Sequence, residues 1–265
     1  MEMKLLANLR AVKLSAVFVA STLVAAIGTP ACAQDTLAQI RQKGVIVVAN
    51  GGAYPPFDMV IDGQLAGFDI DMGNEIARRM GVKVQWEKID FAGIIAALTS
   101  KRVDALITAL TKTPERAQRI AFSNSYYSTG TAGAVRPGLS IVDPKDLAGK
   151  IVAVQVGTSG ERWARDNVAG IVKEIKVFNE FPLAFADVEA GRSDIVINTL
   201  PVVKYNSARR GNKLSITKAW TESEVGINTR LEDTALLAEF NRLLDELKKD
   251  GVIERLDQKW FSAGK

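Results

Sequence analysis

Short apolar runs alternate with longer stretches of helical periodicity along most of the chain. Six short runs rich in β-branched residues predict buried strands over residues 45–49, 82–86, 105–108, 151–156, 175–178 and 195–197. Between them, apolar positions at helical spacing predict helices over residues 37–42, 69–80, 91–100, 161–168, 182–190 and 201–210. Residues 234–265 predict two further helices, interrupted at Gly251, and the spacing does not indicate where they pack. The alternation predicts an α/β fold with mostly parallel sheets.

An internal sequence similarity, which we call the internal echo, predicts that this fold has two similar halves. The segment "DFAGIIAALTSKRVDALIT" at residues 90–108 aligns without a gap with "EFPLAFADVEAGRSDIVIN" at residues 180–198. Because ligands of open α/β sheets lie beyond the carboxyl ends of strands, we expect the strand ends at Thr108 and Asn198 to face each other. Residues 128–138, rich in glycine, threonine and alanine, are the predicted first crossing between the halves.

The first 33 residues predict a secretory signal peptide. Basic side chains precede an apolar run over residues 14–27, which leads to Ala31-Cys32-Ala33 as the cleavage site. The run is too short for a permanent membrane anchor, so a cleaved, periplasmic protein is expected. Anchoring through a lipid on Cys32 is the alternative.

Composition narrows the possible chemistry of residues 34–265. Without the signal peptide, the chain contains 31 basic and 29 acidic residues. The basic residues form no continuous run, so nucleic acid is not an expected partner. The chain has no histidine, and its one cysteine is Cys32. Histidine-based catalysis, thiolate catalysis and the commonest metal ligands are thereby excluded from the mature chain, and we expect no catalytic residues, no metal and no cofactor.

The stretch "TALTKTPERAQR" at residues 108–119 predicts a helix start that suits an anion. Thr113 stands at the N-cap and Pro114 at the first helical position, which places Arg116 in the first turn. A helix N-terminus attracts negative charge, and a guanidinium can grip a carboxylate with two parallel hydrogen bonds. The alternative is an ordinary surface ion pair of Arg116, for example with Glu115.

Several stretches together resemble the extracellular solute-binding family that serves polar amino-acid ABC transporters. They are "GVIVVANGGAYPPF" (44–57), "GQLAGFDIDMGNEIARRMGVKVQW" (63–86), residues 90–127, "LAGKIVAVQVGTSGE" (147–161) and "LKKDGVIERLDQKWF" (247–261). The resemblance implies a type II periplasmic-binding-protein fold with two β-α-β lobes and a two-stranded hinge. Residues 34–128 plus 224–265 would form one lobe and residues 129–223 the other. It also implies a cleft that closes on a solute and docks to a membrane permease. We further expect a monomer that is not an enzyme.

The resemblance assigns roles to individual residues. Tyr54 and Phe91 would sandwich the ligand side chain, and the alternative is that both are aromatic residues of the core. Arg116 would clamp the ligand carboxylate. The remaining implied contacts are the hydroxyls of Thr108 and Thr111, the main chain near Ala109, Thr158 and Ser159 from the second lobe, and Asn198 with Thr199 at its strand end.

Two departures from the family pattern concern the ligand's amine. Thr199 stands where amino-acid binders place an aspartate for the α-ammonium, and Gly51 replaces an acid often found before the turn tyrosine. An α-amino acid therefore needs another acid, such as Glu222 or Glu224. An organic acid or opine-like ligand without a free α-ammonium is the alternative. A dehydratase-type enzyme on the same fold is a further one.

Overall fold

The computed structural model describes residues 35–211 and 213–262. The predicted signal peptide, residues 1–33, lies outside the described residues. In chain order the strands are β1 (Val45–Asn50), β2 (Met59–Ile61), β3 (Gln64–Ala66), β4 (Lys83–Lys88), β5 (Ala105–Leu106), β6 (Ala121–Phe122), β7 (Tyr127–Thr129), β8 (Thr131–Val135), β9 (Ile151–Gln155), β10 (Glu174–Phe178), β11 (Ile195–Thr199), β12 (Ser215–Ile216), β13 (Ser223–Val225) and β14 (Asn228–Thr229).

The helices occupy the intervals between these strands. They are α1 (Thr36–Lys43), α2 (Phe68–Met80), α3 (Ile94–Thr99), α4 (Pro114–Ala117), α5 (Ser159–Asn167), α6 (Phe181–Glu189), α7 (Leu200–Arg209), α8 (Thr234–Lys249) and α9 (Val252–Phe261). Within the two described ranges, no helix combines the length and the apolar character needed to cross a membrane.

Two five-stranded sheets organise the described residues. The first has the order β4-β1-β5-β14-β6, in which β1 pairs in parallel with β4 and β5. The second has the order β10-β9-β11-β8-β12, in which β9 pairs in parallel with β10 and β11. We call the part built on the first sheet the first lobe and the part built on the second sheet the second lobe.

A two-stranded ribbon connects the lobes. β7 leads from the first sheet towards β8 of the second, and β13 leads back to β14 of the first, pairing antiparallel with β7. This ribbon is the predicted two-stranded hinge. The lobe boundaries proposed from the sequence, residues 34–128 plus 224–265 and residues 129–223, stay a prediction.

The two halves of the internal echo have the same local structure. Each runs through a short helix into a strand, and an aspartate at the strand start is bound in the same way. Asp104 Oδ2 accepts from the Val47 backbone N–H over 2.9 Å, and Asp194 Oδ2 accepts from the Ile151 N–H over 2.7 Å. Each carboxylate therefore ties its strand to the first strand of its own sheet.

The C-terminal helices pack on the first lobe, as the family resemblance implies, although the spacing of apolar residues alone did not indicate it. α8 contacts α1, α2 and β14, and α9 contacts α2 and α8. Phe261 at the end of α9 stacks on Tyr127 with ring centroids 4.7 Å apart and lies edge-on to Phe57 at 5.1 Å.

The predicted crossing over residues 128–138 is wrong in length, because β8 already begins at Thr131. Small residues suggested a loop, but here they make room for a neighbour: a Cβ on Gly133 would lie 2.3 Å from Ile195 Cδ1. The predicted helix 91–100 is also divided, into a 3-10 turn over Phe91–Gly93 and α3. The predicted strand 105–108 is paired only over Ala105–Leu106.

Candidate functional site

A tight turn after β1 directs Tyr54 towards the second lobe. The Tyr54 backbone N–H donates to the Asp58 carbonyl oxygen over 2.8 Å, and the ring stacks on Phe57 with centroids 6.1 Å apart. The Tyr54 hydroxyl lies 2.5 Å from Asn198 Oδ1 and 3.0 Å from Thr199 Oγ1, at the end of β11. Burial raises the pKa of the phenol, so the hydroxyl keeps its proton and can donate to these oxygens. Tyr54 therefore bridges the lobes.

Arg116 is a second bridge between the lobes. Thr113 caps its short helix by accepting from the Arg116 backbone N–H over 3.3 Å, as the sequence predicts. The guanidinium donates from Nη1 to the Thr111 carbonyl (2.7 Å) and from Nη2 to the Gly157 carbonyl of the second lobe (2.9 Å). It also lies over the Phe91 ring, with Cζ 5.8 Å from the centroid.

The electrostatic environment of Arg116 lacks a matching acid. Within residues 35–211 and 213–262, no carboxylate forms an ion pair or hydrogen bond with its guanidinium. Burial lowers the pKa of Arg116 to about 10, so the side chain still carries its charge at neutral pH. The neighbouring Glu115 pairs instead with Arg162 of the second lobe over 2.9 Å. The alternative of an Arg116–Glu115 surface pair is therefore not observed.

Two spaces lie along the line where the lobes meet. One has a volume of about 20 Å³ and is lined by residues that include Tyr54, Phe91 and Gln155. The other has a volume of about 280 Å³ and is lined by Arg116, Thr158, Ser159 and neighbouring charged side chains. Thr111 Oγ1 and Ser159 Oγ approach to 3.2 Å beside it. Side chains from both lobes thus converge on one line, with the lobes in direct contact.

A model of the bacterial extracellular solute-binding proteins, family 3, matches residues 46–263. The chain belongs to this family. It is 32% identical over 253 residues to the L-cystine-binding protein TcyJ of Escherichia coli (strain K12), covering 92% of this chain and 93% of that protein. It is 34% identical over 221 residues to the L-arginine-binding protein of Pseudomonas aeruginosa, covering 79% and 85%.

Solved structures of amino-acid-binding proteins have the same fold as this family member. A mutant of ArgBP from T. maritima superposes with a TM-score of 0.81 at 35% identity, covering 86% of this chain and 99% of that one. The ancestral amino acid-binding protein AncCDT-1, a precursor of cyclohexadienyl dehydratase, gives a TM-score of 0.80 at 32% identity, covering 85% and 99%. The predictions of the family, of the two-lobed periplasmic-binding-protein fold and of a solute-binding component of an ABC importer are confirmed.

The structure of this solute-binding protein brings most of the predicted site residues together. Across the line between the lobes, Tyr54 meets Asn198 and Thr199, Thr111 meets Ser159, and Arg116 reaches the Gly157 carbonyl. Tyr54 and Phe91 line the same small cavity. Their role as a sandwich around the ligand side chain stays a prediction, because here Tyr54 packs on Phe57 and on Phe181, 6.4 Å away edge-on.

Three predicted contacts already have partners within the protein. The Ala109 N–H donates to the Tyr126 hydroxyl over 3.0 Å, in a backbone with φ 46°, which is unusual for a residue with a side chain. Thr158 Oγ1 donates to the Gln155 carbonyl (2.7 Å) and accepts from the Glu161 N–H (3.1 Å), which makes it the N-cap of α5. Thr108 Oγ1 bonds to Asp58 Oδ2 over 3.0 Å.

Sequence reasoning missed two residues of the site and considered two that lie elsewhere. Asp58 is fully buried behind the Tyr54 turn, and its position four residues after the turn tyrosine was the available signal. Phe181 packs on Tyr54 from the second lobe, a contact that no local pattern indicates. Glu222 and Glu224 line a separate space of about 600 Å³ beside the hinge ribbon, which shares no lining residue with the two spaces described above.

Proposed function

We propose that this chain captures an α-amino acid for an ABC importer by closing its lobes over the solute, with Arg116 holding the carboxylate. The observation that carries the proposal is the charge of Arg116, which is largely buried between the lobes without an acidic partner among the described residues. A guanidinium has five N–H donors, and two are used on main-chain carbonyls, so donors remain for a carboxylate. Relatives named for binding L-cystine and L-arginine support an amino acid as the solute.

The closing motion is inferred from the close contact between the two lobes. The cavity of about 20 Å³ beside Tyr54 has room for little more than a water molecule, so an amino acid can enter only when the lobes separate. The β7–β13 ribbon is the element that can bend to allow this. On closing, Arg116 and Tyr54 of the first lobe and Ser159 and Asn198 of the second would enclose the solute. The closed form would then dock to the permease.

A screen of the purified protein tests this proposal. The twenty L-amino acids and L-cystine would be added singly, and the thermal midpoint and calorimetric Kd measured. At least one should bind the wild type, and Arg116→Ala should abolish that binding, because the carboxylate would enter a partly buried site without its cation. Arg119→Ala, an exposed arginine three residues further on, is the matched control and should leave the Kd unchanged. Equal binding by the wild type and Arg116→Ala would refute the clamp.

A carboxylic acid without an α-ammonium is the second candidate solute. The neutral pair Asn198 and Thr199, which hydrogen-bonds Tyr54, favours it. The same screen extended to 2-hydroxy acids and other small carboxylates decides between the two candidates.

We infer that the chain binds rather than transforms its solute. Asp58 does have a pKa raised by burial to about 6, a property common among catalytic acids. However, it is fully buried and does not line the cavity beside Tyr54. Appearance of a new product from any bound acid would contradict this inference. No metal or cofactor is invoked, and the described residues contain no cluster of acidic side chains suited to a metal ion.

We also infer a periplasmic location, a monomeric state and no role for nucleic acid. The pattern of the first 33 residues supports export, and the near balance of 31 basic and 29 acidic residues in the remainder disfavours nucleic acid. Mass spectrometry of the exported protein, which should begin at Gln34, and its mass in solution test these points.

A further inference from the structure

Asp58 is a buried carboxylate held directly behind the turns that form the first-lobe side of the site. Its side chain is 0% exposed. Oδ1 accepts from the Tyr54 N–H over 3.2 Å, and Oδ2 is 3.0 Å from the Thr108 hydroxyl. The backbone N–H groups of Gly52 and Ala53 also stabilise its charged form. One carboxylate thus contacts both the turn after β1 and the end of the strand that leads to Arg116.

The surroundings of Asp58 favour one negative charge at this place. Asp69 on α2 is also 0% exposed, and the Tyr126 hydroxyl and the Ala109 N–H are the donors that stabilise its charged form. Burial, with the charge of Asp58 as a further cause, raises the pKa of Asp69 well above its ordinary value. Asp69 is therefore the neutral member of the pair, and Asp58, with several donors aimed at it, is the member that can ionise.

The bond between Thr108 and Asp58 decides how Thr108 can meet a solute. A carboxylate can only accept hydrogen bonds, so Thr108 donates its single hydroxyl proton to ionised Asp58. Its oxygen is then left as an acceptor, with only a long contact of 3.4 Å from the Gly51 N–H. Thr108 is buried next to Gly51, which lines the cavity beside Tyr54, and the oxygen it has left there is an acceptor, which suits an ammonium and does not suit a carboxylate.

Gly51, which has no side chain, lies beside Asp58 and Thr108. A Cβ built on Gly51 would lie 3.8 Å from Asp58 Oδ1 and 3.9 Å from Thr108 Oγ1. The negative charge that an acid at position 51 would bring is therefore present a short distance behind it. Tyr54 experiences both charges of the site: Asp58 contributes to raising the pKa of its phenol, and Arg116 acts in the opposite direction. The first lobe thus holds a cation, Arg116, at the line between the lobes and an anion, Asp58, buried behind the Tyr54 turn.

We propose that Asp58, acting through the Thr108 hydroxyl, supplies the negative charge that a solute ammonium needs, so that the site selects zwitterionic α-amino acids although Gly51 and Thr199 are neutral. The inference rests on the proposed function, because Arg116 must hold the carboxylate. Asp58 acts as a positioning residue, since it does not itself line the cleft. Thr108 would then contact the amine of the solute, whereas the family resemblance places Thr108 at the carboxylate.

The test compares each L-amino acid with the 2-hydroxy acid that has the same side chain, such as L-alanine with L-lactate and L-phenylalanine with L-phenyllactate. Calorimetric Kd values are measured for the wild type, for Asp58→Asn and for Asp62→Asn. Asp62 is an exposed acid in the β2–β3 turn, so the control variant Asp62→Asn loses the same negative charge as Asp58→Asn. The wild type and Asp62→Asn should prefer the amino acid, and Asp58→Asn should lower that preference by about tenfold or more, as expected for a hydrogen bond to a charged group.

The pH profile of the wild type gives a second readout that does not depend on how a variant folds. The pKa of Asp58 is about 6, and the titratable groups that interact with it are Asp69, Tyr54 and Tyr126. The chain has no histidine. Between about pH 7 and about pH 5 the preference for the amino acid should therefore fall by about tenfold, while the Kd of the hydroxy acid changes little.

The outcomes separate this inference from the proposed function. If no amino acid and no hydroxy acid binds the wild type, the proposed function itself fails. If hydroxy acids bind the wild type as tightly as amino acids, the carboxylate site stands and the role of Asp58 is wrong. The role is also wrong if the preference is the same in Asp58→Asn as in the wild type, or if it is independent of pH.

Discussion

Arg116 of the first lobe donates a 2.9 Å hydrogen bond from its guanidinium to the carbonyl oxygen of Gly157 in the second lobe. A few residues away, Glu115 and Arg162 form an ion pair across the same line over 2.9 Å. The two contacts look alike as bridges but differ in exposure. The side chains of Glu115 and Arg162 are 54% and 57% exposed, whereas Arg116 is largely buried.

We predict that only the Arg116 bridge controls closure. An exposed ion pair contributes about 0–1 kcal/mol, so Glu115→Gln should change the Kd of the best amino acid by less than about fivefold. Arg116→Ala should remove binding, and it should also raise the radius of gyration of the protein without added solute, measured by small-angle scattering. A comparable opening in Glu115→Gln would show that the surface pair matters as much.

Tyr54→Phe should weaken binding while leaving the first lobe intact. The change removes the hydroxyl that bonds Asn198 and Thr199 but keeps the ring stacked on Phe57. A buried hydrogen bond contributes about 1 kcal/mol, and more when a polar partner is left unpaired, so we expect a loss of affinity of about tenfold.

The control for Tyr54→Phe is Tyr127→Phe. The Tyr127 hydroxyl bonds Asp257 of α9 over 3.1 Å, and Tyr127 begins β7 where the hinge ribbon leaves the first lobe. This variant should lower the thermal midpoint without changing the Kd in proportion. If both variants change the Kd equally, the Tyr54 bridge has no special role in closure.

Local signals explain what the sequence could predict. The Thr113 cap, the proline after it and the turn that carries Arg116 depend on neighbouring residues, and the structure has them as expected. The two similar halves were visible because Asp104 and Asp194 hold their strands in the same way.

The parts that the sequence did not predict depend on distant contacts. Asp58 faces Thr108, fifty positions away, and nothing in the intervening sequence indicates that separation. The strand β8 was mistaken for a loop because the reason for its small residues lies at Ile195 on the neighbouring strand. The pairing of β5 is only two residues long, too short for a periodic pattern to define its end.

We predict that Asp58 makes the unliganded protein less stable at neutral pH. Its ordinary pKa is 3.8, and the folded value is about 6. Between these values the folded protein binds more protons than the unfolded chain, so the free energy of unfolding falls as the pH rises through this window. The total decrease from this group is on the order of 3 kcal/mol and is nearly complete at about pH 7, one unit above the folded pKa.

Urea unfolding of the wild type and Asp58→Asn at about pH 4.5 and about pH 7 measures this effect. Subtracting the two proteins at each pH cancels the contributions of the other carboxylates. Asp58→Asn should gain stability relative to the wild type as the pH rises. A difference between the two proteins that stays constant with pH would contradict a raised pKa for Asp58.

Thr199→Asp should restore the amine selectivity that Asp58→Asn loses. Thr199 is 4% exposed and meets the Tyr54 hydroxyl, so an aspartate there would place its charge at the cleft from the opposite lobe. In the Asp58→Asn background, we expect the preference for an L-amino acid over its 2-hydroxy acid to rise by about tenfold. Thr199→Asn, similar in size but neutral, is the control and should produce no such gain. Equal preferences in the aspartate and asparagine variants would mean that a charge at position 199 does not interact with the solute amine. The idea that either lobe can supply the negative charge for the amine would then be wrong.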